Sequence, residues 1–136
     1  MANTFLLEIV TPEKQVFTGQ VESLILPAVD GSYGVQPGHE PVVTAVEPGT
    51  TRYKADGQWH ELVVMQGFAE IMSDYAVVLV SAAERPEDID AARAERAKER
   101  AEERLRQHES RQEYLRSKAA LARAMARLGA TRQEHR

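Results

Sequence analysis

The chain changes character near residue 84, and this division constrains its fold more than any single motif. Of the 136 residues, the first 83 hold seven of the eight glycines and five of the six prolines, with three basic and ten acidic side chains. The remainder holds fourteen basic and eleven acidic side chains. Because glycine and proline mark turns and interrupt helices, a loop-rich acidic body precedes a helical, mildly basic tail.

Short apolar segments alternate with turn signals throughout the body. The apolar segments cover residues 5–10, 21–26, 41–46, 62–65 and 76–80. The turn signals cover residues 12–14, 30–34, 48–49, 56–57 and 73–74. Asp56-Gly57 is the kind of pair that favours a two-residue hairpin. Many short strands at close spacing predict an antiparallel β-sandwich, or flattened barrel, over residues 1–84.

Residues 85–136 predict two helices. The first begins near Pro86, since proline is tolerated in an opening turn. Ser110 and Glu113 fit a capping box at the start of the second, after a break at 107–110, and Gly129 is its expected terminator.

Each predicted helix has an apolar face rich in alanine. On the first helix this face holds Asp90, Ala94, Ala97, Ala101 and Leu105, and on the second Leu115, Ala119, Ala122 and Ala126. Alanine permits close approach but offers little apolar surface to bury. We therefore predict an antiparallel two-helix hairpin that is weakly held and able to open, although a rigid hairpin fits the sequence equally well.

Composition and motifs exclude several classes of function. The absence of cysteine removes disulfides, thiolate metal sites and thiol nucleophiles. No apolar run approaches the roughly 20 residues that a membrane helix needs, so direct membrane insertion is not expected. The tail's charges alternate in sign, which argues against a nucleic-acid partner. The histidines at 39, 60, 108 and 135 have no metal-site spacing, and no enzyme motif is present, so we expect no catalytic residue, metal or obligatory cofactor.

Five arginines of the tail form one candidate binding constellation. Arg93, Arg96 and Arg100 lie on the first predicted helix, and Arg123 and Arg127 on the second. If folding brings them together, their forked donors suit a polyphosphate. The alternative is a solvated face in which they pair with acidic neighbours at 95, 99 and 103.

Residues 30–39 form a second candidate, because three glycines and a proline within this segment predict an ordered exposed loop. Such a loop either contacts a partner or only connects two sheets.

Several segments, in order along nearly the whole chain, resemble the epsilon subunit of bacterial F-type ATP synthase. They are Ile9-Val10-Thr11-Pro12, Leu26-Pro27-Ala28, Gly34-Val35-Gln36-Pro37-Gly38-His39, Gln66-Gly67-Phe68-Ala69-Glu70 and Ile89-Asp90-x-x-Arg93-Ala94. The resemblance implies a β-sandwich followed by a helical hairpin. It also implies a non-catalytic rotor subunit of the central stalk, peripheral on the cytoplasmic face of the bacterial inner membrane.

The resemblance implies partners for both parts of the chain. The sandwich would bind the gamma subunit and the ring of c subunits, helping couple proton flow to rotation, with Thr11 and His39 near the gamma or c contact. Ser32 occupies a place where some relatives carry an acidic residue that meets the c ring. The hairpin, when extended, would contact the alpha and beta subunits and inhibit ATP hydrolysis.

In some relatives the folded-back hairpin binds ATP as a regulatory ligand. Carried over by position, the ATP-binding residues would be Glu84, Ile89, Asp90, Arg93, Ala94, Arg100, Arg123 and Arg127. The alternative interpretation of the whole chain is a free-standing β-sandwich that binds a ligand and carries a helical oligomerisation tail.

Overall fold

The computed structural model describes residues 3–107 and 110–134, with side chains described through residue 131. The chain forms two compact units, Met1–Glu84 and Arg85–Arg136. His108 and His135, two of the four histidines considered above, lie outside the described residues.

The first unit is a sandwich of two five-stranded sheets. Its strands are β1 (Phe5–Val10), β2 (Gln15–Val21), β3 (Ser23–Ala28), β4 (Gly31–Val35), β5 (Val42–Val46), β6 (Gly49–Ala55), β7 (Gln58–Val64), β8 (Gly67–Ile71), β9 (Tyr75–Val80) and β10 (Ala83–Glu84). Sheet A has the order β2-β1-β9-β8-β5 and sheet B the order β10-β7-β6-β3-β4. All pairs are antiparallel except β1 with β9, so the predicted fold class is confirmed.

The core lies between the two sheets and is filled by alternate residues of each strand. Its largest fully buried side chains include Phe5, Leu7 and Ile9 of β1, and Leu24 and Leu26 of β3. Burial of each such side chain stabilises the fold by about 1.5–3 kcal/mol. The alternation also leaves a second set of side chains on the outward face of each sheet.

The turn chemistry of the body is partly as predicted. Asp56 and Gly57 both adopt positive φ, 51° and 76°, and join β6 to β7 as the expected two-residue hairpin. The turn expected over residues 30–34 is shorter and earlier than predicted, because it lies at residues 29–30 and Gly31–Val35 forms β4. This strand lies at the edge of sheet B and pairs only with β3, a position that tolerates glycine.

The second unit contains a 3₁₀ turn at Pro86–Asp88 and the helices α1 (Ala91–Gln107) and α2 (Arg111–Glu134). The predicted start of the first helix at Pro86 is wrong, because Ile89 is extended and separates the 3₁₀ turn from α1. The backbone N–H of Glu113 donates to Ser110 Oγ (3.0 Å), as the predicted cap requires. Gly129 does not terminate α2, since its neighbours Leu128 and Ala130 are buried and packing outweighs the cost of about 1 kcal/mol for a helical glycine.

The two helices pack against each other as a hairpin. On α1 the seam agrees with the prediction, because Ala94 and Ala101 are buried. On α2 the prediction is wrong, because the buried side chains include Ser117 and Ala124, whereas Leu115 of the predicted stripe is 51% exposed. The buried side chains of the seam are therefore mostly small, Leu128 being the larger exception, which is consistent with a weakly held pair of helices.

Candidate functional site

The segment Ile89–Ala94 forms the beginning of α1. Asp90 precedes the helix, and its Oδ1 accepts a hydrogen bond from the backbone N–H of Arg93 (3.0 Å). Its carbonyl oxygen accepts from the N–H of Ala94 (3.0 Å), whose methyl group is buried in the seam. Asp90 thus caps the helix and Ala94 lets α2 approach, so two members of the segment have roles in folding the hairpin.

Four of the predicted site residues occupy equivalent positions relative to the seam. Each directly precedes a buried residue of the seam: Arg93 precedes Ala94, Arg100 precedes Ala101, Arg123 precedes Ala124 and Arg127 precedes Leu128. Because α1 and α2 are right-handed and run in opposite directions, the position before a seam residue falls on the same side of the hairpin in both helices. We call this side the arginine side; it carries Arg93, Arg100, Arg123 and Arg127.

The arginine side extends along the open end of the hairpin. Arg93 lies in the first turn of α1, and Arg123 and Arg127 lie in the second half of α2, which runs beside it. Arg100 lies seven residues further along α1, about 10 Å nearer the bend. Arg96, by contrast, is rotated by about 60° from Arg93 away from the seam.

Several arginines of the two helices lack an ion-pair partner among the described residues. Within the described residues, Arg93, Arg96, Arg100 and Arg123 form no ion pair. Glu103, an expected partner, instead accepts a hydrogen bond from Arg106 (2.6 Å), which lowers the pKa of Glu103. The interpretation of the arginines as an ion-paired solvated face is therefore wrong for these four residues.

The two remaining predicted ATP-site residues lie before α1. Ile89 is half-buried, and its N–H donates to the Pro86 carbonyl oxygen (3.2 Å) at the end of the 3₁₀ turn. Glu84 is the last residue of the first unit and pairs with Val63 across β10 and β7.

The outward face of sheet A forms a second candidate site. Two rows of side chains cross it in register: Val10, Leu79, Phe68 and Ala45 in one, and Glu8, Val77, Glu70 and Val43 in the other. Phe68 is 62% exposed, Val43 68% and Leu79 52%. We call these two rows the exposed sheet face. Contiguous exposed apolar side chains of this kind mark interaction surfaces.

A groove of about 370 Å³ opens at one end of the exposed sheet face, lined by side chains that include Val10, Thr11, Pro12 and Leu79. Thr11 was expected near a partner contact. Its hydroxyl donates to the Lys14 carbonyl oxygen (3.2 Å) within the β1–β2 turn, so its polar group serves the turn that shapes this groove.

The loop after β4 is held at several points. His39 Nδ1–H donates to the Glu40 carbonyl oxygen (2.7 Å), so Nε2 of neutral His39 accepts from the Tyr33 hydroxyl (3.1 Å). The N–H of Gly38 donates to the Ser73 carbonyl oxygen (2.8 Å). These hydrogen bonds hold the part of the chain around Gly38 and His39, whereas residues 31–35 of the loop predicted over 30–39 form β4 instead. Ser32, the other expected contact residue, is exposed on β4 beside the β3–β4 turn.

Sequence reasoning did not identify the exposed sheet face, although β9 carries a signal for it. Ala76–Val80 is apolar at every position, a pattern typical of strands covered on both faces. In this structure one side of β9 faces the core and the other carries the half-exposed Leu79. The continuous apolar strand therefore indicates a surface that an additional partner covers.

One ionisable pair lies on this face. The Tyr75 hydroxyl donates to Glu70 Oε1 (3.2 Å). The negative charge of Glu70 raises the pKa of Tyr75, because phenolate formation beside a carboxylate is disfavoured.

Within residues 3–107 and 110–134, no three acidic or histidine side chains gather as a metal site requires. In the same part of the chain, neither helix is long and apolar enough to cross a membrane.

Comparisons with known proteins agree with this architecture. Residues 4–86 match the family described as ATP synthase, Delta/Epsilon chain, beta-sandwich domain, and residues 87–132 match its long alpha-helix domain. The ATP synthase epsilon chain of Ruminiclostridium cellulolyticum is 53% identical over 94% of this chain and 96% of its own. That of Caldanaerobacter subterraneus subsp. tengcongensis is 47% identical over 94% of each chain.

A solved structure shares the fold at low sequence identity. A chain of the Euglena gracilis mitochondrial ATP synthase, in a structure of its OSCP, F1 and c-ring, superposes with a TM-score of 0.85 at 20% identity, covering 96% of this chain and 82% of that one. Both units and nearly the full length thus match one family. The chain belongs to the ATP synthase delta/epsilon family as an epsilon chain, a non-catalytic subunit of the complex.

Proposed function

We propose that this epsilon chain is a rotor subunit of the central stalk whose two units have separate tasks. The sandwich binds the gamma subunit and the c ring and so helps couple proton translocation to ATP synthesis. The hairpin inhibits ATP hydrolysis when it extends toward the alpha and beta subunits, and it binds ATP when folded back. The complex is peripheral on the cytoplasmic face of the bacterial inner membrane.

The exposed sheet face supports the proposed attachment to gamma. Phe68 and Leu79 lie next to each other across β8 and β9 and are more than half exposed. Covering apolar surface is worth about 25 cal/mol per Å² before the costs of association are subtracted. The groove beside Leu79 offers a place where a gamma side chain inserts.

The β3–β4 turn supports the proposed contact with the c ring. Val29 at this turn is 74% exposed, so its apolar side chain is available to a partner. Asp30 and Ser32 are exposed beside it. The turn joins strands that pair over five residues, from Leu24–Val35 to Ala28–Gly31, so the hairpin holds it and the contact requires little ordering on assembly.

The arginine side is the observation that carries the proposed ATP binding. Among the described residues, Arg93 and Arg100 of α1 and Arg123 of α2 form no ion pair, so a polyphosphate that binds them joins α1 to α2. Each charge-assisted hydrogen bond contributes roughly 1.5–3 kcal/mol, and about 5.5 kcal/mol moves a two-state equilibrium from 1:99 to 99:1. Two or three such contacts suffice to hold a weakly packed hairpin closed. Glu84, which belongs to the first unit, stays a sequence prediction.

The small side chains of the seam support the proposed opening of the hairpin. A pair of helices that meets through Ala94, Ala101 and Ala124 gains little from apolar burial. A ligand with affinity for the folded state alone adds about 2.7 kcal/mol at a hundredfold excess over its dissociation constant. ATP is therefore able to decide between the two states.

Calorimetric titration of ATP into the isolated chain tests the ATP site. We expect saturable binding for the wild type, weakened about tenfold or more in Arg93→Ala and in Arg127→Ala. Arg96→Ala is the matched control, since it removes the same charge from α1 but lies away from the arginine side. Equal weakening by all three variants would indicate a general charge effect, and absence of heat in the wild type would refute the ATP site.

The alternative, a free-standing binding module with an oligomerisation tail, gains no support from the two relatives described above, which match 94% of this chain and are ATP synthase epsilon chains.

The attachment proposal predicts that the chain binds an F1 sector stripped of its own epsilon subunit. Phe68→Ser should weaken this binding strongly. Unchanged binding would show that the exposed sheet face is not the attachment surface.

A further inference from the structure

The exposed sheet face combines apolar side chains with two uncompensated carboxylates. We propose that Glu8 and Glu70 are charged anchors, and that the partner surface covering this face places Lys or Arg side chains opposite them. The inference rests on the proposed attachment of the stalk through this face and specifies the chemistry of the surface that attaches.

The strand register fixes the arrangement of the two anchors. Val77 of β9 lies beside Glu8 of β1 on one side and beside Glu70 of β8 on the other. Neighbouring strands are about 4.8 Å apart, so the two carboxyl-bearing Cα atoms are about 10 Å apart with Val77 between them. The row of Leu79 and Phe68 lies two residues along the strands, about 7 Å away. The face is therefore an apolar row beside an acidic row.

The carboxylates of this face have no cationic partner among the side chains that the structure describes. Among the residues that the structure describes, neither Glu8 nor Glu70 forms an ion pair, and no Lys or Arg belongs to the two rows. Sheet B differs, because its Arg52 and Lys54 lie near Glu61 (3.5 Å) and Glu22 (3.8 Å). Glu8 and Glu70 thus bring two of the unpaired negative charges of the first unit onto the exposed sheet face.

Covering the face with a purely apolar partner would be unfavourable. A carboxylate that loses water without gaining a charged partner costs several kcal/mol. A partner that supplies a guanidinium or ammonium group restores the lost interactions and fixes the register of docking. A partner with acidic side chains at the same places is repelled. The anchors therefore select the partner and its orientation, whereas the apolar row supplies most of the buried area.

Tyr75 is a positioning residue for one anchor. Its hydroxyl donates to Glu70 Oε1 (3.2 Å) and holds the carboxylate beside Val77, leaving Oε2 for a partner. Tyr75 is itself half-buried, so its ring stays in place while the carboxylate is exposed. The negative charge of Glu70, together with burial and this hydrogen bond, raises the pKa of Tyr75, so the pair has a spectroscopic signature.

The test measures binding of the full-length chain to an F1 sector stripped of epsilon, at several salt concentrations. We expect Glu70→Gln and Glu8→Gln each to raise the dissociation constant about tenfold, equivalent to about 1.4 kcal/mol, and to flatten its salt dependence. Glu70→Lys should raise it by a further factor of at least about ten. Glu99→Gln, which removes one exposed negative charge from α1, is the matched control and should change neither quantity.

Three outcomes separate the anchors from the attachment surface itself. If Phe68→Ser weakens binding while both glutamine variants and Glu70→Lys bind as the wild type does, the attachment surface stands and the anchors are wrong. If Phe68→Ser also has no effect, the proposed attachment fails.

The third outcome uses the hydroxyl of Tyr75. Tyr75→Phe should weaken binding less than Glu70→Gln, and the pKa of Tyr75, followed by NMR, should move toward its ordinary value in Glu70→Gln. An unchanged Tyr75 pKa in that variant would show that the pair does not form in solution and would remove Tyr75 from the proposal.

Discussion

Gly67 is the position at which the structure makes its sharpest prediction about stability. A Cβ atom at this residue would overlap the Leu79 carbonyl oxygen and lie 2.7 Å from Val80 Cα. Both contacts are with the backbone of β9, which a side-chain rotation cannot relieve. Gly67→Ala therefore forces β8 and β9 apart at the place where Gly67 pairs with Val80.

The expected loss combines several contributions. Overpacking in a well-packed region costs about 1–3 kcal/mol, and each backbone hydrogen bond weakened at this pair costs about 1 kcal/mol. Alanine also restricts the unfolded chain more than glycine does, which offsets about 0.4–1 kcal/mol of this loss of stability. We expect the free energy of unfolding of the sandwich to fall by about 3 kcal/mol, which lowers the urea midpoint by about 2 M for a typical small-domain slope.

Urea unfolding followed by fluorescence of Trp59, the single tryptophan, measures this loss in the sandwich unit. Gly34→Ala is the matched control, because Gly34 also lies in a strand, has no positive φ and has no atom within 4 Å of a built Cβ. It should change the free energy of unfolding by less than about 1 kcal/mol. A Gly67→Ala protein as stable as Gly34→Ala would refute the steric reasoning.

Three further predictions concern single groups. Within the described part of the chain, Thr51 Oγ1 is fully buried without a hydrogen-bond partner. Thr51→Val should therefore raise the free energy of unfolding by about 1 kcal/mol, and a lower free energy of unfolding in urea would contradict this. Asp90→Ala removes the cap of α1 and should lower helix stability by about 1 kcal/mol, measured as lower helicity on heating. Asp90→Asn should retain the cap and the helicity. Equal loss of helicity in both variants would exclude a capping role. Arg106 lowers the pKa of Glu103, so this pair stabilises the hairpin at pH values above the ordinary glutamate pKa, and the stabilisation is lost as the pH falls through the lowered pKa. Arg106→Gln should raise the pKa of Glu103 in an NMR titration. An unchanged pKa would contradict the pairing.

Local chemistry predicted some elements because few alternatives compete with it. Asp56-Gly57 adopts positive φ at both residues at little cost, so the hairpin between β6 and β7 follows from two residues. Ser110 caps α2 as the sequence indicates. By contrast, the apolar segment expected at 21–26 spans the junction of β2 and β3, since the chain passes from sheet A to sheet B at Glu22. The apolar residues on both sides of Glu22 and Ser23 make the end of one strand and the start of the next look like a single segment.

The seam of α2 could not be predicted because alanine occurs on several sides of this helix. The stripe through Leu115 and Ala122 is as apolar in sequence as the one through Ala124 and Leu128, yet only the second is buried. Which stripe is buried depends on where α1 lies, and this is a tertiary property. For the same reason the sequence could not decide whether the arginines converge on one side of the hairpin, because their placement depends on which residues form the seam.

The exposed sheet face could not be deduced because register across four strands determines it. Glu8, Glu70 and Val77 are distant in sequence and become neighbours only through pairing of β1, β9 and β8. Its one sequence signal is the continuous apolar character of β9, which also fits a strand buried within a single domain.

The most direct test of the account is ATP hydrolysis by the assembled complex, measured over a range of ATP concentrations with the wild-type chain and with a chain carrying both Arg123→Ala and Arg127→Ala. We predict that rising ATP relieves inhibition in the wild type, because bound ATP holds the hairpin folded, and that the variant complex stays inhibited to higher ATP. Arg96→Ala should behave as the wild type does. The same ATP response in the wild type and the double variant would contradict the account.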